Sequence, residues 1–365
     1  MVKVETSKTV NKEKLSFSNI SRPVLLELRK QTKEYFDETG KVTTGDSGLF
    51  IKALIIVSTF FICYLTILFG SVSFGIALCL YAIMGLAAAA LGFNLMHDGA
   101  HGSFSKKKWL NTLAAYSINF LGGDAVLWKN KHNMIHHTYT NIEGYDQDIA
   151  QMPVFRLNTM QKKSYLHKYQ HIYSFFIYGL SSLLWVFLLD YQKYFSGKIG
   201  NLKISNFKTS DHIIFWFTKV GYLVAYLVVP AIFNGWFVTL VGFLLFHFVL
   251  GLVLSVVFQL AHVVENTEFS EPPAEGKVED EWAVHQLKTT SNFATHNPFV
   301  TWYTGGLNFQ VEHHLFPNIS HAHYPELNKI VKRVCLDLNV PYNEYPTFSA
   351  ALSSHLNHLK ETGRA

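Results

Sequence analysis

The segment FGIALCLYAIMGLAAAALGFNLMHDGAH, residues 74–101, decides the fold, because a long apolar run leads directly into two histidines. Residues 74–96 contain no Asp, Glu, Lys or Arg. A helix needs about 20 apolar residues to cross a lipid bilayer, so this run predicts a transmembrane helix. His97 and His101 follow at its end, and side chains four residues apart share one face of a helix.

Three more apolar runs have a similar length, namely 53–70, 213–233 and 236–261. Short uncharged turns join the four runs in pairs: Ser71-Val72-Ser73 in the first pair and Asn234-Gly235 in the second. This pattern predicts an all-α integral membrane protein with four transmembrane helices in two hairpins. Lys219 interrupts the third run near its start, where we expect its ammonium group to extend to the membrane surface.

The composition agrees with a membrane protein. Of 365 residues, 49% are hydrophobic and only 16% are charged, against about 25% charged in ordinary soluble domains. The mean hydropathy is +0.15. The three cysteines, Cys63, Cys79 and Cys335, lie far apart and form no disulfide framework or CxxC pair.

The distribution of lysines and arginines predicts the orientation. Both hairpin turns lack basic residues, whereas residues 1–52, the Lys106-Lys107-Lys108 stretch, residues 162–208 and the C-terminal region are basic. By the positive-inside rule both termini are cytoplasmic. The net charge of +5 is therefore an orientation signal, and it does not indicate a nucleic-acid partner.

Two shorter apolar stretches, 110–123 and 172–189, are ambiguous. If 172–189 crossed the membrane alone, the basic loop after it would lie outside, and the last histidine cluster would be separated from the first two. We therefore predict that both stretches form interfacial or re-entrant helices. The resulting fold is two helical hairpins with a cytoplasmic, histidine-rich cap.

Histidines gather in three short clusters: His97-Asp-Gly-Ala-His101, His132-Asn-Met-Ile-His136-His137 and Gln310-Val-Glu-His313-His314. One HxxxH pair is usually a solvated face or a hydrogen-bonded contact, but three clusters point to metal. Seven imidazoles exceed the roughly four protein ligands of a structural zinc site, which favours two metal ions. His262 ends the fourth run at the same depth as His97, so it is a further candidate ligand. We interpret His247, deeper in that run, as a packing or hydrogen-bonding residue.

The order HxxxH, HxxxHH, QxxHH, with hydrophobic hairpins between, resembles the membrane fatty acid desaturase family. The QxxHH cluster is similar to that of front-end acyl desaturases of the Δ5/Δ6 type, including bacterial members that resemble linoleoyl-CoA desaturases. The resemblance covers residues 50–341, which we interpret as the desaturase domain. Residues 1–49 form a cytoplasmic N-terminal segment, helical from Pro23 to Thr39, and residues 342–365 form a cytoplasmic tail.

The resemblance implies a di-iron enzyme that uses O₂ to remove two hydrogens from an acyl chain. The implied metal ligands are nine side chains: His97, His101, His132, His136, His137, His262, Gln310, His313 and His314. Gln310 stands where a histidine is usual in the family, and either it binds iron directly or it holds a water. Four acids near the clusters are interpreted as acceptors that fix histidine tautomers, with ordinary solvated acids as the alternative: Asp98, Asp146, Asp148 and Glu312.

The substrate is expected to be a fatty acyl chain on CoA or a membrane lipid, held in a narrow apolar tunnel. Aromatic residues near the clusters suit its wall or, alternatively, a membrane-interface belt: Trp128, Trp282, Trp302 and Tyr303. His285 and Gln286 are candidates for contacts behind the metal ligands or with substrate. No haem, flavin or iron–sulfur motif is apparent, so we expect an external electron donor, ferredoxin or cytochrome b5 with its reductase. A multi-pass protein of the bacterial inner membrane is the expected localisation.

Two other function classes remain open from the residues. A histidine-rich di-iron hydroxylase or ketolase would use similar clusters and the same oxygen chemistry. A zinc hydrolase or metal transporter would carry ionisable residues along a path through the spans. The four runs contain almost none of these, and the histidines gather at one end, which favours an interfacial site over a conduction path.

Overall fold

The computed structural model describes residues 15–18, 22–150, 153–200, 202–204 and 207–365. Within these ranges the chain forms the following α-helices: α1 (Pro23–Thr39), α2 (Ser47–Phe69), α3 (Phe74–Leu91), α4 (His97–His101), α5 (Lys108–Phe120), α6 (Ala125–Lys129), α7 (His137–Tyr139), α8 (Gln170–Leu184), α9 (Asp190–Ser196), α10 (Thr209–Leu223), α11 (Val229–Asn234), α12 (Trp236–His262), α13 (Trp282–Thr289), α14 (Pro298–Tyr303), α15 (Gln310–Leu315), α16 (Tyr324–Asp337) and α17 (Phe348–Arg364).

Two other kinds of helical turn lengthen these helices. π-helical turns lie at Gly92–Met96, Asn130–His136, Trp185–Leu189 and Val224–Val228, and 3₁₀ turns lie at Tyr165–Tyr169 and His321–His323. The β-structure in the described residues consists of one isolated bridge between Ile142 and Ser270 and six two-residue strands: β1 (Ser16–Phe17), β2 (Lys198–Ile199), β3 (Leu202–Lys203), β4 (Lys277–Val278), β5 (Asn292–Phe293) and β6 (Glu344–Tyr345). β1 pairs with β4 and β5 with β6, both parallel, whereas β2 and β3 form an antiparallel hairpin. The predicted all-α class is confirmed.

All four predicted apolar runs are helical. Asp46 starts the first by accepting a hydrogen bond from the Leu49 amide at 3.0 Å, which satisfies one of the unpaired N–H groups of the first turn. Ser71, with a φ of 45°, turns the chain between α2 and α3. Gly235, with a φ of 78°, turns it between α11 and α12, where glycine is favoured because it lacks a Cβ. Both turns lie where the sequence predicted them.

In the part of the chain that the structure describes, five helical segments are long and apolar enough to cross a membrane: Ser47–Phe69, Phe74–His101, Tyr165–Ser196, Thr209–Asn234 and Trp236–His262. Four contain the predicted runs. The fifth, Tyr165–Ser196, contains residues 172–189, for which we predict an interfacial position. The length and composition of this segment suit either placement, so the predicted number of crossings stays a prediction.

Glycines allow the closest helix crossings in the bundle. A methyl group on Gly251 of α12 would lie 2.8 Å from the Tyr178 carbonyl oxygen of α8, and one on Gly85 of α3 would lie 2.8 Å from that of Phe246. Likewise, a methyl group on Gly99 would lie 2.6 Å from the Ala114 Cβ of α5. Small residues let helix backbones approach in this way, and the crossings hold α3 and α8 against α12 and hold α4 against α5.

The polar end of the bundle carries a cap with its own apolar core. Leu28 of α1, Val311 of α15 and Val331 of α16 are buried together there. The predicted helix from Pro23 to Thr39 is confirmed, and it packs on this cap. All three cysteines are free, as predicted.

Lys219 corrects one prediction. Its side chain is only 3% exposed, and its ammonium group donates hydrogen bonds to Asp190 Oδ2 at 2.9 Å and to the Gly122 carbonyl oxygen at 2.6 Å. The expected extension to the membrane surface is therefore wrong. No local pattern indicates this partner, because Asp190 lies 29 positions earlier in the chain.

Candidate metal centre

Nine predicted side chains meet at the polar end of the bundle. Four parts of the chain supply them: α4 after the π turn Gly92–Met96, the π turn Asn130–His136 with α7, the end of α12, and α15. All nine are buried except His101, which is half-buried. π-Turns shift the helical phase by a residue and are frequent at functional sites. The turn Asn130–His136 allows His132, His136 and His137 all to face the other clusters.

The imidazoles form two groups with one histidine between them. The first group consists of His97, His101, His132 and His313, whose candidate ligand atoms all lie within 4.8 Å of one another. The second group consists of His136, His262 and His314, whose candidate ligand atoms also lie within 4.8 Å of one another. His137 lies within that limit of both His313 and His314 and so links the groups. We call these the four-histidine group and the three-histidine group.

The nitrogen positions fit metal ligation. The Nε2 atoms of His97 and His132 are 3.1 Å apart, and those of His137 and His132 are 3.2 Å apart. Two nitrogens bound about 2.1 Å from one ion lie roughly 3.0–3.4 Å apart at ordinary coordination angles. Four more Nε2 atoms are buried and have no hydrogen-bond partner in the described part of the chain: those of His101, His136, His313 and His314.

The opposite nitrogens of several imidazoles have hydrogen-bond partners. Nδ1 of His136 contacts Asp146 Oδ2 at 3.0 Å, and Nδ1 of His314 contacts Gln286 Oε1 at 2.7 Å. Nδ1 of His313 lies 3.1 Å from the Tyr324 hydroxyl. A carboxylate or amide oxygen at Nδ1 holds the proton there, which leaves Nε2 free to bind a metal ion.

Burial shifts the ionisation of the imidazoles that lie outside the candidate spans. It lowers the pKa of four of them well below the usual range: His132, His137, His313 and His314. Burial also opposes protonation of His136, but Asp146 and Asp148 outweigh it and raise the pKa of His136. The four imidazoles of lowered pKa are therefore neutral at pH 7, which is the form that binds metal.

Gln310 belongs to the three-histidine group. Its side-chain Nε2 lies 2.9 Å from Nε2 of His262. The nitrogen and oxygen of a side-chain amide are assigned from the hydrogen-bond network and can be exchanged. After this exchange, the amide oxygen of Gln310 lies where its nitrogen was, beside Nε2 of His262. An amide oxygen there would add a fourth ligand to a group that otherwise has three.

The four acids predicted to support histidines behave differently. Asp146 contacts His136 as predicted, and Asp148 pairs with Lys131 while its Oδ2 lies 3.6 Å from His136 Nδ1. Asp98 instead contacts His321 at 3.0 Å and Ser320 at 2.9 Å, and neither residue is a predicted ligand. Glu312 accepts from Asn292 at 2.7 Å and Asn328 at 3.1 Å. For Glu312 the prediction is wrong, because distant asparagines hold its carboxylate, whereas Asp98 does contact a histidine, but one outside the predicted ligands.

Of the other residues singled out in the sequence, some contact the histidine cluster and others contact different parts of the protein. Gln286 supports His314, whereas His285 Nε2 lies 2.9 Å from the Thr140 carbonyl oxygen. Trp128 stacks on His132 with ring centroids 4.3 Å apart, so it borders the four-histidine group. His247 contacts Ser182 and Tyr222 within the bundle, which confirms its predicted hydrogen-bonding role. Tyr324 was not predicted, because its position after the third cluster shows no pattern that indicates a contact with His313.

Apolar helices that end in converging histidines define a membrane protein with a polyhistidine centre. A family model described as fatty acid desaturase matches residues 49–346. The chain belongs to this family.

Curated relatives agree with the family model. A sn-1 linoleoyl-lipid 6-desaturase of Synechocystis is 37% identical over 93% of this chain and 95% of its own length. An acyl-lipid (8-3)-desaturase of Physcomitrium patens is 35% identical over 92% of this chain and 70% of its own. A probable Delta(5) fatty acid desaturase of Dictyostelium discoideum is 33% identical over 92% of this chain and 75% of its own length. The predicted family and the predicted oxidoreductase activity, acyl desaturation, are confirmed.

Proposed function

We propose that this chain is a front-end desaturase that introduces a cis double bond at Δ6 or Δ5 of an acyl chain esterified to a membrane lipid. The names of the relatives carry the choice of lipid over CoA, since both the Synechocystis and the Physcomitrium proteins are named as lipid desaturases. The QxxHH cluster at Gln310–Leu315 supports the front-end class.

Two iron ions are the proposed cofactor, with O₂ as co-substrate. The proposed ligands are His97, His101, His132 and His313 for one ion and His136, His262, His314 and Gln310 for the other, with His137 between them. The single observation that carries this assignment is the set of buried, unpartnered Nε2 atoms facing one another. Imidazole suits iron. When bound, the iron would activate O₂, the oxidant that removal of hydrogen from an unactivated methylene requires.

The protein itself positions and protects the centre. Gln286 and Asp146 orient His314 and His136, and Trp128 covers the face of His132. Burial of the cluster excludes water from the place where the methylene is oxidised. The reacting carbons must reach the gap between the two histidine groups, which limits the reaction to a narrow part of the acyl chain.

We propose four membrane crossings with the centre and both termini on the cytoplasmic side. His101 and His262 end two candidate spans yet belong to one cluster, so an even number of crossings must separate them. Three candidate spans follow His101 in the chain, and the last of them ends at His262: Tyr165–Ser196, Thr209–Asn234 and Trp236–His262. Because Gly235 joins the last two in a tight hairpin, Tyr165–Ser196 is the segment that does not cross. Basic residues on the same side support this orientation.

The proposed partners follow from the reaction. An electron donor of the ferredoxin or cytochrome b5 type reduces the centre from the cytoplasmic side, and the acyl lipid enters from the bilayer. We propose residues 50–341 as the catalytic domain, between the N-terminal segment 1–49 and the tail 342–365. The bacterial inner membrane remains the proposed location.

The test is the fatty acid profile of cells that express the chain with a compatible donor and receive a Δ9-unsaturated acid. A new double bond on the carboxyl side of Δ9 is expected. His313→Ala should abolish this product and reduce bound iron, whereas His296→Ala, which removes an exposed histidine outside the cluster, should change neither. A hydroxylated product would move the chain to the hydroxylase class, and full activity of His313→Ala would break the ligand assignment.

A further inference from the structure

A small cavity lies where the polar ends of α2 and α5 meet. It has a volume of about 270 Å³, and its lining residues are Val42, Thr44, Gly45, Phe50, Ser105, Lys106, Lys107 and Leu110. Small-molecule pockets usually have roughly 300–1,000 Å³. The cavity is therefore large enough for a headgroup fragment and too small for a complete lipid.

The charge at this cavity is positive. Lys106 and Lys107 are exposed, and neither forms an ion pair within the described ranges. The adjacent carboxylate, Asp46, already accepts the amide hydrogen bond that starts α2. The Thr44 hydroxyl oxygen is buried and lacks a hydrogen-bond partner in the described part of the chain, although Thr44 lines the cavity. Two ammonium groups beside an unpaired hydroxyl suit a phosphate.

The walls of the cavity are held in place by the protein. The Gly45 amide donates to the Ser103 carbonyl oxygen at 3.0 Å, which joins the two sides. Asn111 fixes the loop before α5, because its Oδ1 accepts from the Ser105 amide and its Nδ2 donates to the Ser105 carbonyl oxygen, both at 2.8 Å. A site that exists before the ligand arrives binds at a lower entropic cost.

The surroundings place this cavity at the membrane surface. Trp109 and Leu113 of α5 are 63% and 64% exposed, and Ile51 and Leu54 of α2 are similarly exposed. Tryptophan and lysine side by side are typical of the layer where lipid headgroups meet hydrocarbon. The cavity is also close to the metal centre, since Ser105 follows His101 by four residues, at most about 14 Å of extended chain.

We propose that this cavity binds the phosphate of the phospholipid whose acyl chain is desaturated. The inference rests on the proposed acyl-lipid substrate and adds the chemical class of its headgroup, a phosphodiester. A headgroup held this close to the centre brings the first carbons of the attached chain to the histidines, which is what a double bond near the carboxyl end requires. The apolar residues Phe50 and Leu110 would contact the glycerol and the start of the chains.

The experiment measures retention of phosphatidylglycerol by the purified full-length protein in an uncharged detergent, by native mass spectrometry. The unaltered protein should bind phosphatidylglycerol and not diacylglycerol with the same acyl chains. Lys106→Gln/Lys107→Gln should weaken the binding roughly twenty-five-fold, because each of the two lysines contributes about a factor of five near an anionic lipid. Lys108→Gln is the matched control, since Lys108 is exposed and adjacent but does not line the cavity, and it should bind normally.

Three results would overturn the proposal: normal phosphatidylglycerol binding by the double variant, equal binding of diacylglycerol, or displacement of the lipid by low concentrations of coenzyme A. The last would assign the cavity to a thioester carrier.

Steady-state kinetics separate this proposal from the desaturase function. The double variant should raise KM for phosphatidylglycerol-linked chains and leave kcat nearly unchanged. Lysine-dependent lipid binding without any desaturated product would break the proposed function alone, whereas product formation with an unchanged KM would break this inference alone.

Discussion

Gln286 shows how one residue can orient a proposed metal ligand, His314. Its Oε1 lies 2.7 Å from Nδ1 of His314 and 2.9 Å from the Thr140 hydroxyl oxygen. Because Nδ1 donates to this oxygen, Nε2 of His314 carries no proton and faces the three-histidine group. The orientation of the ligand is therefore set before any ion binds.

Replacing Gln286 with leucine should weaken metal binding without removing a ligand. Loss of such a partner typically costs 10- to 100-fold in metal affinity or activity. The measurement is iron per chain and product formation in purified Gln286→Leu. Gln286→Glu, which keeps an acceptor oxygen, should retain much more iron. Equal iron loss in both variants would contradict an orienting role.

Acidification should remove metal in two steps. Protons compete with metal ions for imidazole nitrogen, so the imidazole with the higher pKa loses its ion at the higher pH. Asp146 raises the pKa of His136 in the three-histidine group, whereas burial lowers that of His132 in the four-histidine group. Iron content measured after dialysis from pH 8 downwards should therefore fall first by the ion of the three-histidine group. A single step for both ions would contradict this difference.

At the scale of elements, the crossing of α8 and α12 depends on Gly251. A methyl group there would lie 2.8 Å from the Tyr178 carbonyl oxygen and 2.9 Å from that of Gly179, so the two backbones would have to separate. Since α12 ends at His262, their separation would also displace a proposed ligand.

Gly251→Ala should destabilise the protein by about 1–3 kcal/mol, the usual cost of overpacking a close contact. Thermal unfolding in detergent would measure this change. Gly221→Ala is the matched control, because Gly221 also lies in an apolar helix but has open space where the methyl group would be. The control should unfold at the same temperature or slightly higher. Comparable stability of both variants would show that α8 and α12 do not pack this tightly.

At the scale of the whole molecule, local patterns predicted the helices and most of the histidine cluster. Apolar runs give the four long helices, and HxxxH spacing brings each histidine pair to one face. What the sequence could not predict is the pairing of residues far apart in the chain. Asp98 contacts His321, 223 positions away, and Asn292 and Asn328 hold Glu312. Such contacts depend on how the cap folds over the bundle, which no periodicity records.

The number of membrane crossings is also decided at this scale. Hydropathy treats Tyr165–Ser196 like the other apolar segments. Only the meeting of His101 and His262 at one centre restricts the count, because it requires both helix ends to lie on one side of the bilayer. Reaction of single cysteines introduced near Lys198 with a membrane-impermeant reagent would test this. Labelling in intact cells would contradict the proposed cytoplasmic position.

The buried pair of Lys219 and Asp190 has a consequence for how the chain is made. A lysine within a newly inserted helix costs up to about 2.5–3.5 kcal/mol, the value at the helix centre, during transfer from the translocon into lipid. Asp190 precedes Lys219 in the chain, so it leaves the ribosome first and is already available as a counter-ion when Lys219 is synthesised. The order of synthesis thus supplies the partner before the charge enters the bilayer, and a chain lacking Asp190 should be recognised by membrane quality control during biogenesis.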